Sequence, residues 1–161
     1  MRITTNIKDL NFKCSDVEDY KQGIIIGKKL IMTCMFGKNK NAVGLAHNQI
    51  KGNKNVYIVK SKNVFRTFIN AKIVDFSEDI FKHQESCMSF PNKSNKVDRH
   101  SWITISHLIE DGYIQETFNG FEACVHQHEI DHLNGINIHN KKGIESLSFG
   151  DRIWSLDYDK N

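Results

Sequence analysis

The chain has 161 residues and a net charge of +3, with 39% hydrophobic and 25% charged residues. This composition is typical of a soluble globular protein, and the length predicts a single domain spanning residues 1–161. Because the lysines are scattered without interleaved aromatic residues, we expect no nucleic-acid partner. The start lacks the apolar run of a signal peptide, and the most apolar stretch, "GIIIGKKLIMTCMF", is too short to span a bilayer. We therefore expect a cytoplasmic monomer with no membrane partner.

The segment "SDVEDYKQGIIIGKKLIMTCMFG" predicts the first helix. Ser15 and Glu18 have the spacing of a capping box at its start, and Gly37 is a natural end. The apolar stripe that is expected to face the core consists of Val17, Tyr20, Ile24, Ile31 and Met35.

The middle of the chain predicts strands, and a second helix follows them. "NAVGLAHNQI" reads as a loop, whereas "NVYIVK", "NVFRTFIN" and "AKIVDF" predict short strands. "SWITISHLIEDGYIQETF" predicts a hairpin with a tight turn at Asp111-Gly112. "NGFEACVHQHEIDHLNG" predicts a helix capped by Asn119 and ended by Gly135, and the tail from Gly143 predicts one short helix. Grouped strands with a helix on either side indicate an α+β protein.

The second predicted helix contains an HExxH motif formed by His128, Glu129 and His132. Residues four apart share a helix face, so the two histidines can bind one metal ion together. The same stripe of the helix holds the apolar residues Phe121, Cys124 and Val125. Both imidazoles therefore continue an inward side, where a metal would satisfy them. Glu129 stays within reach of a water on that ion and can take its proton.

A hydrolytic metal needs a third protein ligand and an open position for water. His139 comes one residue too late for the zinc-protease pattern HExxHxxGxxH, and no methionine follows Met88 to form that pattern's methionine turn. Glu145 is a second candidate, although it follows the motif closely. Cys87 lies in the polar segment "HQESCMSFPN" and can supply a thiolate. Spacing alone leaves these three candidates open.

Three blocks, in the same order, resemble the peptide deformylase family. "GLAHNQ" at 44–49 resembles its GLAAPQ-type loop, "ESCMS" at 85–89 its EGCLS block, and "QHEIDHLNG" at 127–135 its QHEIDHLxG helix. The resemblance implies small antiparallel sheets packed around a central HExxH helix, with an N-terminal helix and a short C-terminal segment. It also implies a metal-dependent hydrolase that removes the formyl group from N-formylmethionine of nascent peptides and releases formate.

The family resemblance also implies the metal and the catalytic groups. Cys87, His128 and His132 would bind one divalent ion, Fe²⁺ in cells, with Zn²⁺, Ni²⁺ or Co²⁺ as alternatives in the purified protein. Glu129 would be the general base and then the acid that protonates the leaving amine. The residues implied to hold the carbonyl oxygen as it becomes negative are Gln49, through its side chain, and Met88, through its backbone N–H.

The substrate side is implied in the same way. The backbone of Gly44 would pair with the peptide as an added strand. The other residues implied to line the substrate site are Val43, Leu45, Glu85, Phe121 and Val125. Arg99 and Asp131 would form a structural ion pair beside the metal helix.

The sequence departs from the family pattern at four positions, where His47 and Asn48 replace Ala and Pro, Ser86 replaces Gly and Met88 replaces Leu. None of these is an implied ligand, so we expect a competent site. The short tail carries several aspartates, which argues against the basic helix that docks some family members on the ribosome; a formylated peptide is the expected partner. Two alternatives stay open: a zincin-type metalloprotease, and an inactive metal-stabilised binding module with a deformylase-like fold.

Overall fold

The computed structural model describes residues 2–143 and the backbone of two short strands at 148–149 and 152–153. Helix α1 spans Tyr20–Phe36 and helix α2 spans Gly120–Leu133. The strands are β1 Gly44–Ala46, β2 Val56–Ser61, β3 Val64–Ile69, β4 Lys72–Phe76, β5 Ile80–Cys87, β6 Phe90–His100, β7 Trp102–Ile109, β8 Gly112–Asn119, β9 Ser148–Phe149 and β10 Arg152–Ile153. All strand pairs within these sheets are antiparallel, and the predicted α+β class is confirmed.

Within the described residues the strands form four small sheets, three of which contact α2. One has the order β1-β2-β3, another β4-β7-β8, and β5-β6 and β9-β10 are hairpins. The three strands predicted between residues 55 and 76 are present as β2, β3 and β4. The predicted β7-β8 hairpin is also present, and its pairing of Ile109 with Gly112 makes Glu110 and Asp111 the two loop residues. Gly112 has φ +130°, a conformation that favours glycine at this turn.

Helix α1 begins later than the sequence predicts. Its N-cap is Asp19, whose side chain accepts a hydrogen bond from the Gln22 backbone N–H at 2.8 Å. The predicted capping box of Ser15 and Glu18 is therefore wrong, because Ser15 forms a β-bridge with Lys54 and is drawn into extended backbone. The predicted end at Gly37 is confirmed.

The predicted stripe of α1 is partly right, since Val17 is buried in the core and, of the five residues, only Met35 is largely exposed. The residues buried along the helix are Gly23, Ile26, Gly27, Leu30, Thr33 and Cys34. Tyr20, Ile24 and Ile31 are only partly buried against this core, and Met35 is 57% exposed. A Cβ at Gly23 would lie 2.6 Å from Ile69 side-chain atoms. The buried face therefore follows helical spacing, and glycine at 23 and 27 marks where the helix contacts the β2-β3 sheet.

The hairpin β5-β6 has no counterpart in the sequence prediction. Its strands are mostly polar and largely exposed, so they carry little of the alternation that indicates a strand. The pairing shifts register between Ser86 and Cys87, and Cys87 pairs with Phe90 at the tight end. This irregularity places Cys87 at the end of a strand next to α2.

Helix α2 is the centre of the molecule. Ala123 to Leu133 are buried apart from a small exposed fraction of His128. Asn119 is the N-cap residue as predicted, although its side chain makes no capping hydrogen bond, and Gly135 follows the helix with φ +77°. Apolar residues of β2, β4, β7 and α2 form the main core beneath it.

The tail differs from the prediction of a short helix where it is described. Residues 148–149 and 152–153 form the paired strands β9 and β10, and the rest of the predicted helix lies outside the described residues. Neither α1 nor α2, the α-helices of the described chain, has the length and hydropathy that crossing a bilayer would require.

Candidate metal centre and substrate cavity

Three side chains converge where α2 meets the end of β5. The Sγ atom of Cys87 lies 3.2 Å from Nε2 of His132, which in turn lies 3.2 Å from Nε2 of His128. Ligand atoms from all three residues lie within 4.8 Å of one another. The two histidines come from one face of α2, and the hairpin β5-β6 brings the cysteine to them from 41 residues earlier in the chain.

The donor set fits a metal ion. Donors on one tetrahedral zinc-sized ion are about 3.3–3.6 Å apart, close to the separations seen here. The two imidazole nitrogens and the cysteine sulfur each direct a lone pair toward the same point. One cation at that point would bind all three. Burial lowers the pKa of His132 well below its ordinary value, which favours the neutral imidazole that ligation requires. Of the three proposed third ligands, Cys87 is the one that this cluster contains.

A buried charged network supports His128 from behind. Its Nδ1 lies 2.8 Å from Oε2 of Glu85, so the ring presents Nε2 to the ligand group. Glu85 accepts two hydrogen bonds from Arg99, at 2.7 and 2.8 Å, and Arg99 donates to Asp131 at 2.6 Å. Lys141 reaches the same carboxylate oxygen of Asp131 at 3.0 Å. The Arg99–Asp131 ion pair thus belongs to a larger cluster of two acids and two bases.

The charges in this network hold each other ionised. Burial opposes ionisation of Glu85, but the hydrogen bonds from Arg99 and His128 keep its pKa well below the ordinary range. Burial likewise opposes the charge on Arg99, but the neighbouring carboxylates Asp131 and Glu85 outweigh this effect and raise its pKa above the ordinary value. The ionised Glu85, held in place by Arg99, therefore fixes the orientation of the His128 ring.

Glu129 lies beside the ligands with one carboxylate oxygen free. Its side chain is buried, and burial raises its pKa to about 7. Its Oε2 has no hydrogen-bond partner within the described residues. A Cβ at Gly44 would lie 2.6 Å from Oε1 of Glu129, so only glycine lets β1 approach the carboxylate this closely. Such a carboxylate is suited to exchanging protons near neutral pH.

The Gln49 side chain has a fixed orientation. Its Oε1 accepts a hydrogen bond from the Ala46 backbone N–H at 2.9 Å, which leaves Nε2 to face the site. Nε2 lies 3.6 Å from Cys87 Sγ and 3.2 Å from Ser89 Oγ. Asn48 donates from its side chain to the backbone carbonyl of His132 and so ties the same short turn to the metal helix.

A cavity of about 490 Å³ opens beside these groups. Its wall includes residues predicted for the substrate site, namely Val43, Gly44, Glu85, Phe121 and Val125, together with the predicted catalytic residues Gln49, Met88 and Glu129 and the predicted ligands Cys87 and His128. Leu45 does not line it, because its side chain is fully buried in the core between α1 and the β1-β2-β3 sheet. The carboxylate of Glu85 is occupied by Arg99 and His128.

Several other histidines lie apart from the ligand cluster. His126 is buried, accepts or donates through Nδ1 to the Tyr57 hydroxyl at 2.8 Å, and packs among aromatic rings. His139 packs on Phe90 with ring centroids 4.8 Å apart. Glu145 lies outside the described residues.

Sequence reasoning missed four contributors to the site. Ser89 and Asn48 position the Gln49 turn, Lys141 completes the charged network, and His83 lines the cavity. The position of Ser89, two residues after Cys87, was an available signal for the first. Lys141 offered no signal, because its role depends on a contact made after the chain leaves α2.

The comparisons with known proteins agree with this geometry. The polypeptide deformylase family model matches residues 3–146. Peptide deformylase of Pseudomonas aeruginosa is 36% identical over 97 residues, 58% of either chain, and that of Treponema pallidum is 32% identical over 123 residues, 76% of this chain and 73% of the relative. The chain thus aligns with less than two thirds of the Pseudomonas relative's length.

Solved structures show the same fold. A class I type b peptide deformylase from Acinetobacter baumannii superposes with a TM-score of 0.77 at 26% identity, covering 87% of this chain and 97% of the other. A probable peptide deformylase from Synechococcus phage S-SSM7 gives 0.77 at 29% identity, covering 86% and 97%. The fold and the Cys/His/His cluster are those of a hydrolase with a metal site. The chain belongs to the polypeptide deformylase family. The resemblance predicted from the three sequence blocks is confirmed.

Proposed function

We propose that this protein is a metal-dependent hydrolase that removes the formyl group from N-formylmethionine at the start of new peptides and releases formate. The observation that carries the proposal is the convergence of Cys87, His128 and His132 beside the free carboxylate oxygen of Glu129, at the wall of one cavity. Membership of the polypeptide deformylase family supports the reaction type.

The chain's own residues divide the chemistry between them. Cys87, His128 and His132 would hold a divalent cation, which would supply Lewis acidity toward the formyl oxygen and toward water. Glu129 takes a proton from the water as the water oxygen bonds to the formyl carbon. The same carboxyl gives that proton to the amine nitrogen as the C–N bond breaks, which leaves formate and a free amino terminus.

Two donors face the oxygen on which negative charge develops. The Nε2 amide of Gln49 is oriented toward the site because its Oε1 is held by Ala46. The Met88 backbone N–H is the second donor that we propose, since Met88 lines the cavity next to Cys87. Donors preset for the charge of a tetrahedral intermediate stabilise it more than they stabilise the substrate.

The peptide would bind along β1. This strand is an edge of its sheet, with β2 on one side, and Gly44 and Val43 line the cavity. An extended peptide can therefore add as a further strand and place its formyl group beside the ligands. Val43, Phe121 and Val125 offer apolar surface for the methionine side chain.

We propose Fe²⁺ as the ion in cells, with Zn²⁺, Ni²⁺ or Co²⁺ in purified protein, because a Cys/His/His set accepts several divalent ions. The substrate arises during translation, so we propose that the enzyme works in the cytoplasm as a monomer. We do not propose that the protein docks on the ribosome through a basic C-terminal helix, because its tail carries several aspartates.

The decisive experiment measures formate released from formyl-Met-Ala-Ser by anaerobically purified protein whose metal content is determined in parallel. We expect hydrolysis, no cleavage of the unformylated peptide, and one metal per chain. Glu129→Ala should retain the metal and lose activity by at least about a thousandfold. Cys87→Ser should lose the metal; a zincin that uses a later ligand would keep it.

Activity that survives Glu129→Ala would contradict the role of Glu129. A parent protein that binds metal and peptide without releasing formate would instead support an inactive binding module.

A further inference from the structure

The cavity runs along α2 away from the ligand cluster. Val125 lies about one helical turn before His128, and Phe121 about two turns before it. Under the proposed function, the formyl carbon lies beside the ligands. The first side chain of the peptide then passes Val125, and its tip approaches Phe121.

A polar residue lies at this far end of the cavity, whose wall elsewhere carries both apolar and polar side chains. His83, from β5, lines the cavity, and the centroid of its ring is 6.0 Å from that of Phe121. Its side chain is 25% exposed, so it is neither a core residue nor a fully solvated one. The side chains of Val43, Cys124 and Val125 line the same cavity.

The hydrogen bonds of His83 determine which of its nitrogens accepts. Nδ1 lies 3.2 Å from Oε1 of Glu85. Glu85 is ionised, because Arg99 donates to both of its oxygens, so it can only accept. In the neutral ring, Nδ1 therefore carries the proton, and Nε2 at the far edge of the ring is an acceptor. Within the described chain Nε2 makes no hydrogen bond.

We propose that His83 is a specificity-determining residue for the first side chain of the substrate. The Nε2 acceptor lets the cavity take formylated peptides whose first side chain ends in an N–H donor, such as glutamine, in addition to formylmethionine. An apolar residue at this position would bind such a tip less well, because it offers the amide no acceptor in place of Nε2. The inference rests on the proposed function and refines its substrate class.

The test compares hydrolysis of formyl-Gln-Ala-Ser, formyl-Met-Ala-Ser and formyl-norleucyl-Ala-Ser by the parent and by two variants of His83. In His83→Leu, kcat/KM for the glutamine peptide should fall about tenfold relative to the norleucine peptide, the amount that one lost hydrogen bond accounts for. In His83→Asn, the side-chain NH2 can still donate to Glu85, and the side-chain oxygen then takes the place of the ring Cδ2, so that no acceptor remains at the position of Nε2. Its selectivity should therefore match that of His83→Leu.

Lys82→Leu is the matched control. Lys82 neighbours His83 on β5, is 68% exposed, pairs with Asp98 and does not line the cavity. Its ratio of glutamine to norleucine hydrolysis should equal that of the parent. Binding of the products Gln-Ala-Ser and Met-Ala-Ser to metal-free protein, followed by NMR chemical shifts, gives a readout besides activity, and only the first should weaken in the His83 variants.

Equal losses for all three substrates, restored in His83→Asn, would overturn the proposal and make His83 a positioning residue that acts through Glu85. Unchanged ratios in both variants would also overturn it. If the parent does not hydrolyse formyl-Met-Ala-Ser at all, the proposed function has failed instead, which is a separate result.

Discussion

The two helices of this protein bury opposite kinds of side chain. Helix α1 is rich in apolar residues, yet Met35 and Phe36 are 57% and 80% exposed. Helix α2 is rich in His, Gln, Glu and Asp, yet it lies almost entirely inside the molecule. The apolar helix contributes stability through a narrow face marked by glycine. The polar helix can be buried because each of its buried polar side chains has at least one partner or a chemical role, although Nε2 of His126, Oδ1 of Asp131 and Nδ1 of His132 have no hydrogen-bond partner within the described residues.

The largest effect is expected where the buried charges of α2 lose a partner. Arg99→Met leaves Glu85 and Asp131 buried without the guanidinium that pairs them, which typically costs about 3–5 kcal/mol of unfolding free energy. Urea unfolding of the metal-free protein measures the change. Arg66→Met is the control, because the Arg66–Glu116 pair is partly exposed and should change stability by less than about 1 kcal/mol. Equal effects of the two variants would contradict a special role for the buried network.

The buried face of α1 should respond almost as strongly. Leu30 is 0% exposed between α1 and the sheet that carries β1, so Leu30→Ala should cost about 3–5 kcal/mol through lost burial and the cavity left behind. Met35→Ala removes a similar number of atoms from the same helix at an exposed position and should change stability by less than about 0.5 kcal/mol. A large effect of Met35→Ala on the urea unfolding of the metal-free protein would mean that the face of α1 that carries Met35 is buried, contrary to the structure.

Lys141 tests whether the network extends beyond α2. Its side chain is 3% exposed and forms an ion pair with Asp131, so Lys141→Met leaves one uncompensated negative charge. Because Arg99 still pairs with Asp131, we expect a smaller loss of about 1–3 kcal/mol, measured by urea unfolding. Lys51→Met, which removes a 69% exposed lysine at 4.0 Å from Asp9, should be neutral within about 0.5 kcal/mol. A neutral Lys141→Met would place Lys141 outside the network.

The contrast between the helices also explains which features the sequence could predict. HExxH spacing places His128 and His132 on one face whatever the surrounding fold, and family blocks identify Cys87 as their companion. The strands β2, β3 and β4 show apolar residues bounded by polar turns. The hairpin β5-β6 and the contact face of α1 do not follow from local pattern, because the first is polar and the second depends on where glycine lets a sheet approach. The contact of Lys141 with Asp131 and the place of His83 in the cavity wall also depend on how the chain folds.

The smallest expected effect concerns the pH dependence of an ion pair outside the site. Partial burial opposes ionisation of Glu116, but hydrogen bonds from Arg66 and His107 lower its pKa below the ordinary value. A carboxyl with a lowered folded-state pKa contributes stability that is present above its unfolded pKa and is lost as pH falls through its folded pKa. At pH 6 the free energy of unfolding of the parent should therefore exceed that of Glu116→Gln by less than about 1 kcal/mol, because the pair is partly exposed. Urea unfolding from pH 6 to pH 3 should show this difference shrinking toward zero, and a difference that grows on acidification would mean that Glu116 is not stabilised as the carboxylate.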